Sequence, residues 1–217
     1  VTKISRNGWA LFAEDGWSIG DFILTTSARM DQDDNFGTHI TPKMYGNWAF
    51  SNDWALKGGV SAGYKKPELR ATSSNFVTPY GSTVPYPFLT VGNDDLKPEE
   101  SINTELGLYW QQDTLALDAT VFHTRFKNKI SDYTICTETS TQKCIYNGYT
   151  AESVSQYFNV SDAEVYGLEL NGDWQVTPSL KANANYTYTH SEQKSGEYKG
   201  YALSDFPTSM ANVSLTW

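Results

Sequence analysis

Residues 180–189, LKANANYTYT, place Leu180, Ala182, Ala184, Tyr186 and Tyr188 on one side and Lys181, Asn183, Asn185, Thr187 and Thr189 on the other. Successive side chains of an extended chain point to opposite faces, so this is a strand with one apolar and one polar face. The pattern returns at residues 54–64, where Trp54, Leu56, Gly58, Val60, Ala62 and Tyr64 alternate with Ala55, Lys57, Gly59, Ser61 and Gly63. It returns again at 102–110, with Ile102, Thr104, Leu106, Leu108 and Trp110 on one side. Further strands read at 9–17, 21–31, 41–50, 114–128, 163–175 and 207–217, about nine in all.

The connections sort by length. Short turns fall near residues 18–20, 51–53, 111–113 and 176–179, and longer loops near 33–38, 65–100, 130–162 and 191–206. All the longer ones lie on one side of the sheet, and strands of this length suit a tilted crossing of a bilayer, which takes about 9–11 residues. The chain therefore reads as all-β, an antiparallel transmembrane β-barrel with long extracellular loops and short periplasmic turns. Lys57, Glu105, Asp118, Glu169 and Asp173 then face the lumen, because a charge on the lipid side is costly. A secreted β-rich adhesin or sandwich is the competing fold, but its loops need not sort by length.

Composition agrees with the membrane reading. Of 217 residues 14% are aromatic, including 7 Trp and 14 Tyr, a surplus expected where amphipathic rings mark both bilayer interfaces. Mean hydropathy is −0.49 and no apolar run is long enough for a spanning helix. The net charge of −9 argues against nucleic acid as a partner. Residues 1–8 (VTKISRNG) hold no apolar leader, the nine strands are an odd number, and the chain reads as part of a longer one.

Cys136 and Cys144 bracket a polar stretch, CTETSTQKC, which suits a disulfide-closed loop tip in an oxidising compartment, with free thiols as the alternative. Residues 31–37 (DQDDNFG) space Asp31, Asp33 and Asn35 like the start of a calcium loop. The glycine comes one position late, however, and Pro42 stands where the bidentate Glu belongs, so a tight outer turn is the better reading. Gly58 to Lys65 fails as a phosphate loop, and its glycines read as relief of crowding within a strand. His39, His123 and His190 are too scattered for a metal site, and no nucleophile, base and acid line up, so no enzyme is expected.

Several segments, in order, resemble TonB-dependent receptors of the catecholate-siderophore and colicin I receptor group: ALFAED (10–15), WALKGGVSAGYKKPELR (54–70), GNDDLKPEE (92–100), FHTRFKNKI (122–130), AEVYGLEL (163–170) and SEQKSGEYKG (191–200). The resemblance implies a partial 22-stranded barrel over residues 1–217, with the N-terminal plug domain and the closing strands absent. It also implies location in the bacterial outer membrane and iron uptake energised by the TonB–ExbB–ExbD complex through an absent N-terminal region. The expected ligand is a ferric siderophore, with no other cofactor and no resident metal; haem or cobalamin uptake is the alternative. Lipid and lipopolysaccharide are expected neighbours, and a colicin or phage an additional partner.

A ferric catecholate is an anion rimmed by aromatic rings, so its receptor needs exposed cations and aromatic faces outside the membrane. The loop at 65–100 supplies both: Lys65, Lys66 and Arg70 at its start, and Tyr80, Tyr86 and Phe88 in its Pro-rich middle, VTPYGSTVPYPF. The cations also suit a charge ring that binds lipopolysaccharide or water, and the aromatics suit packing within the loop.

Overall fold

The computed structural model describes residues 3–81, 86–196, 198–203 and 206–217. Pro85 in the Pro-rich stretch, like Val1 and Thr2 at the start, lies outside the described residues. Thirteen strands follow one another: β1 (Gly8–Ile19), β2 (Phe22–Asp33), β3 (Gly37–Trp48), β4 (Trp54–Lys65), β5 (Val77–Tyr80), β6 (Phe88–Val91), β7 (Glu99–Gln112), β8 (Leu115–Thr137), β9 (Cys144–Tyr146), β10 (Tyr149–Ala151), β11 (Ser153–Thr177), β12 (Leu180–Gln193) and β13 (Ser209–Thr216). Nine of them form one antiparallel wall in the order β1-β2-β3-β4-β7-β8-β11-β12-β13, the nine expected from alternation.

The register sorts the two faces. Trp17 pairs with Leu24, Trp48 with Phe22 and Leu56, Trp54 with Trp110, and Trp110 with Leu117, while Trp174 pairs with Leu115 and Ala182. Five tryptophans thus stand in one row near the short turns, all on the face that carries Leu106, Val121 and Val213, each more than half exposed. That is an interfacial aromatic girdle under a lipid-facing band. The opposite face carries Lys57, Glu105, Asp118, Glu169 and Asp173, linked through the pairs Gly59–Glu105, Glu105–Phe122 and Thr120–Glu169. These charges find partners there: the Lys57 ammonium lies 4.9 Å from the Tyr109 ring centre, Asn171 donates to Asp118 at 3.0 Å, and Lys181 pairs with Asp173 at 2.9 Å.

Glycines let aromatic rings lie flat across this wall. A Cβ on Gly59 would meet the Tyr45 ring at 2.7 Å, and one on Gly167 would meet the Phe122 ring at 2.8 Å. Each glycine sits opposite its ring in the register, so the ring covers backbone that no side chain occupies.

Two expectations about loops need correction. The connection at 33–38 is not long: β2 and β3 stay paired to Asp33–Gly37, leaving residues 34–36 as a tight turn with Gly37 at φ 75°. The loop expected at 130–162 is mostly strand, because β8 and β11 keep pairing up to Thr137–Ser153 and only residues 138–152 lie beyond the last pair. Beyond the bilayer no lipid face imposes the two-residue rhythm, so pairing continues after alternation has stopped.

Candidate ligand-binding face

Above the wall, two connections build a small packed layer. β5 pairs with β6, and β6 runs parallel to the start of β11, with Phe88–Val91 opposite Ser153–Gln156. β9 and β10 form a tight hairpin turned by Asn147 and Gly148, both at positive φ. Between them lies a core of Leu89, Val91, Cys144, Ala151 and Val154, with Val77, Cys136 and Tyr146 against it. Cys136 and Cys144 are joined as a disulfide with Cα atoms 5.8 Å apart, and Cys144 is wholly buried. The bridge is therefore part of the core that binds the loop at 66–98 to the β8–β11 hairpin, not a clasp at an exposed tip.

The six residues expected at a ligand site separate. The Lys66 ammonium lies 3.1 Å from Asp33, a carboxylate 1% exposed that Arg6 also approaches at 3.4 Å; Arg6 donates onward to the Pro67 carbonyl at 3.0 Å. Lys66 is thereby engaged in tying the loop to the end of β2. Arg70 stands in solvent beside Glu68, 3.6 Å away, and Lys65 is exposed at the end of β4, opposite Glu99.

Two of the aromatics come together instead. Tyr80 and Phe88 stack with ring centres 5.5 Å apart, and Tyr80 is half exposed. Tyr86 meets a cation that sequence reasoning missed: Lys143 donates to its hydroxyl at 3.0 Å and lies 5.3 Å from its ring centre. The Tyr86 hydroxyl holds the Lys143 pKa above its ordinary value, so this ammonium stays charged well into alkaline pH. Nothing in the spacing announces Lys143; its place follows from its neighbour Cys144, buried in the loop core. A cleft of about 670 Å³ opens on the other face of the β5–β6 hairpin, lined by Phe76, Pro79, Pro87, Leu89 and Tyr149. Aromatic faces and a fixed cation on the outer side suit an anionic aromatic ligand.

The last loop turns toward the lumen side. Leu203 packs with Ala163 and Val165, and Phe122, Phe126 and Phe206 lie against them. The Leu203 amide donates to Ser191 Oγ at 3.0 Å, which fixes where this loop meets β12.

Comparison with known proteins agrees with this geometry. The family model "TonB dependent receptor-like, beta-barrel" matches residues 1–217. The chain is 40% identical to the iron-regulated outer membrane virulence protein of Vibrio cholerae serotype O1, over 100% of this chain and 32% of that protein. It is 30% identical to the ferrienterobactin receptor of Escherichia coli K12, over 96% of this chain and 27% of that one. Among solved structures, a variant of the ferric enterobactin receptor PfeA of Pseudomonas aeruginosa, in complex with enterobactin, superposes with a TM-score of 0.73 at 27% identity, covering 99% of this chain and 31% of that one. The chain spans about a third of the length of the relatives it matches. The girdled wall, the outer loop layer and these matches agree: the chain belongs to the TonB-dependent receptor-like β-barrel family of the outer membrane.

Proposed function

We propose that the intact protein is an outer-membrane receptor and transporter for a ferric siderophore of the catecholate type, with no enzymatic activity. In this reading the wall works with a plug domain, and uptake is energised by TonB–ExbB–ExbD. The observation that carries it is the stack of Tyr80 on Phe88 in the outer loop, with the Lys143 ammonium fixed on Tyr86 of the same loop. Arg70 and Lys65 add exposed positive charge to the same loop. An iron tricatecholate presents flat rings and negative oxygens, which these groups complement.

The test is tryptophan-fluorescence quenching of the full-length protein in detergent, titrated with an iron tricatecholate, an iron hydroxamate, haem and cobalamin. Saturable quenching by the tricatecholate alone is expected. Saturation by haem or cobalamin instead, with no response to the tricatecholate, overturns the proposal.

A second use of the same loops rests on Ile145 and Tyr149, each 62% exposed on the β9–β10 hairpin. Apolar side chains so far out on a disulfide-anchored hairpin suit docking by a colicin or phage protein. Loss of such binding on changing both to Ser, with siderophore binding intact, is the expected result.

A further inference from the structure

β3 and β4 do not pair along their full length. Their ladder runs from Trp48–Leu56 only as far as Lys43–Ser61, although β3 begins at Gly37 and β4 ends at Lys65. The ladder stops where Pro42 enters β3, a residue with no N–H to give. Above it the two strands part, and a cleft of about 340 Å³ opens between them and runs on toward β8. Ile40, Ala62 and Ile102 line it, with Ile40 and Ile102 65% and 57% exposed.

Ile40 pairs with Met30 and Ile102 with Arg125, on the face that carries the tryptophan row. Along β7, Ile102 stands eight positions from Trp110 in that row. At 3.3 Å per residue and a tilt of about 40°, this is roughly 20 Å along the membrane normal, near the outer edge of an apolar band about 25 Å tall. On this face and at this depth the surroundings are lipid, and parted strands with apolar lips leave a groove that an acyl chain can fill. The cleft is therefore a place for one ordered molecule of the outer leaflet.

The charges at its rim say which kind. Lys127 has acids on both sides in the register, Glu100 and Asp162. Glu100 also lies 3.6 Å from His39. Arg125 differs: its neighbours are Ile102 and Glu164, and Glu164 is taken by Lys194 at 2.8 Å and His123 at 3.6 Å. Among the described residues Arg125 is thus an exposed guanidinium with no ion pair, directly beside the apolar lips of the cleft. A guanidinium binds phosphate with two parallel hydrogen bonds.

We infer that the cleft between β3 and β4 holds one molecule of the phosphorylated glycolipid of the outer leaflet, lipid A. An acyl chain lies between Ile40, Ala62 and Ile102, and a phosphate sits on Arg125. This site is independent of the siderophore reading, since it uses the lipid face and none of the outer-loop residues.

The test is native mass spectrometry of the full-length protein in detergent, with added lipid A, the same lipid after enzymatic removal of its phosphates, and phosphatidylglycerol. One lipid A is expected to stay bound, with roughly tenfold weaker retention in Arg125→Ala and for the dephosphorylated lipid on the unchanged protein. Arg125→Lys should retain an intermediate amount, and Ile102→Trp, which fills the cleft, should lose the lipid while keeping heat-modifiable migration. Equal retention by Arg125→Ala, or of the dephosphorylated lipid, overturns the assignment. Equal retention of phosphatidylglycerol also overturns it, in favour of a general phosphate contact. The lipid arms use the unchanged protein, so the conclusion stands even where a variant fails to fold.

Discussion

Lys143 places its ammonium 3.0 Å from the hydroxyl of Tyr86, 57 residues earlier in the chain, and so joins the tip of the disulfide loop to the loop at 66–98. A cation fixed on an aromatic ring is a preorganised contact for an anionic ring system. Lys143→Ala in the full-length protein should weaken binding of an iron tricatecholate about tenfold by fluorescence titration, with Lys143→Arg recovering part of the loss. Because the Tyr86 hydroxyl holds the Lys143 pKa above its ordinary 10.5, this contribution should stay constant from neutral pH to about pH 9. An affinity that falls across that range would show that another cation carries the contact.

Removing the disulfide should loosen the outer layer and leave the wall intact. The closed loop is short, so the chain-entropy contribution is about 2–3 kcal/mol, acting on a core that includes the buried Cys144. The double variant Cys136→Ser with Cys144→Ser should be cut faster by protease within 66–98 and 138–152. Its heat-modifiable migration, which reports the wall, should match that of the unchanged protein.

Asp94 gives the loop at 66–98 a response to acid. Its carboxylate accepts from Ser74 Oγ at 2.6 Å and from the Ser74 amide at 2.9 Å, and these bonds hold its pKa below the ordinary 3.8, the hydroxyl contributing most. A lowered folded-state pKa means stability that is fully present above the ordinary value and lost as pH falls through the folded one. Protease cleavage in this loop should therefore rise below about pH 4 in the unchanged protein. Asp94→Asn should show faster cleavage already at neutral pH and no further rise on acidification.

The two faces of β7 should respond oppositely to charge. Leu106, 51% exposed on the lipid side, should cost about 2–4 kcal/mol when changed to Arg, measured by urea unfolding in lipid vesicles. Glu105 faces the lumen and accepts from Asn103 at 3.0 Å, so Glu105→Gln should change stability by less than about 1 kcal/mol. Equal losses at both positions would mean that the register is wrong.

The wall was legible because lipid imposes a two-residue rhythm on each strand. Trp48, Trp54, Trp110 and Trp174 mark one edge of the apolar band, and Lys57, Glu105 and Asp173 mark the other face, so the register could be read without coordinates. Outside the membrane that constraint ends. The upper halves of β8 and β11 carry Tyr133, Thr134, Ser155 and Gln156 in no clear alternation, so their sequence looks like loop although they pair. β5 and β6 are four residues each, too short for a periodic signal. Lys66 and Lys143 look alike in sequence; only the buried Asp33 near one and the buried Cys144 next to the other decide which is tied into the loop and which stands exposed on Tyr86. The gap above Lys43 and Ser61 has a single sign in the sequence, Pro42, whose missing N–H breaks the ladder with β4.

The parallel pairing of β6 with β11 also sets an order of events. Gln156 donates to the Gly92 carbonyl across 64 residues of chain, and Asn93 to the Tyr157 carbonyl across a similar distance. Neighbouring hairpins close over a few residues, whereas this junction must wait until β7, β8 and β11 have all found their places, a closure whose entropy makes it late and slow. The segment from 66 to 98 is therefore held at first only at its start, where Lys66 meets Asp33, and its aromatic residues gather only once the strands on both sides of it are built.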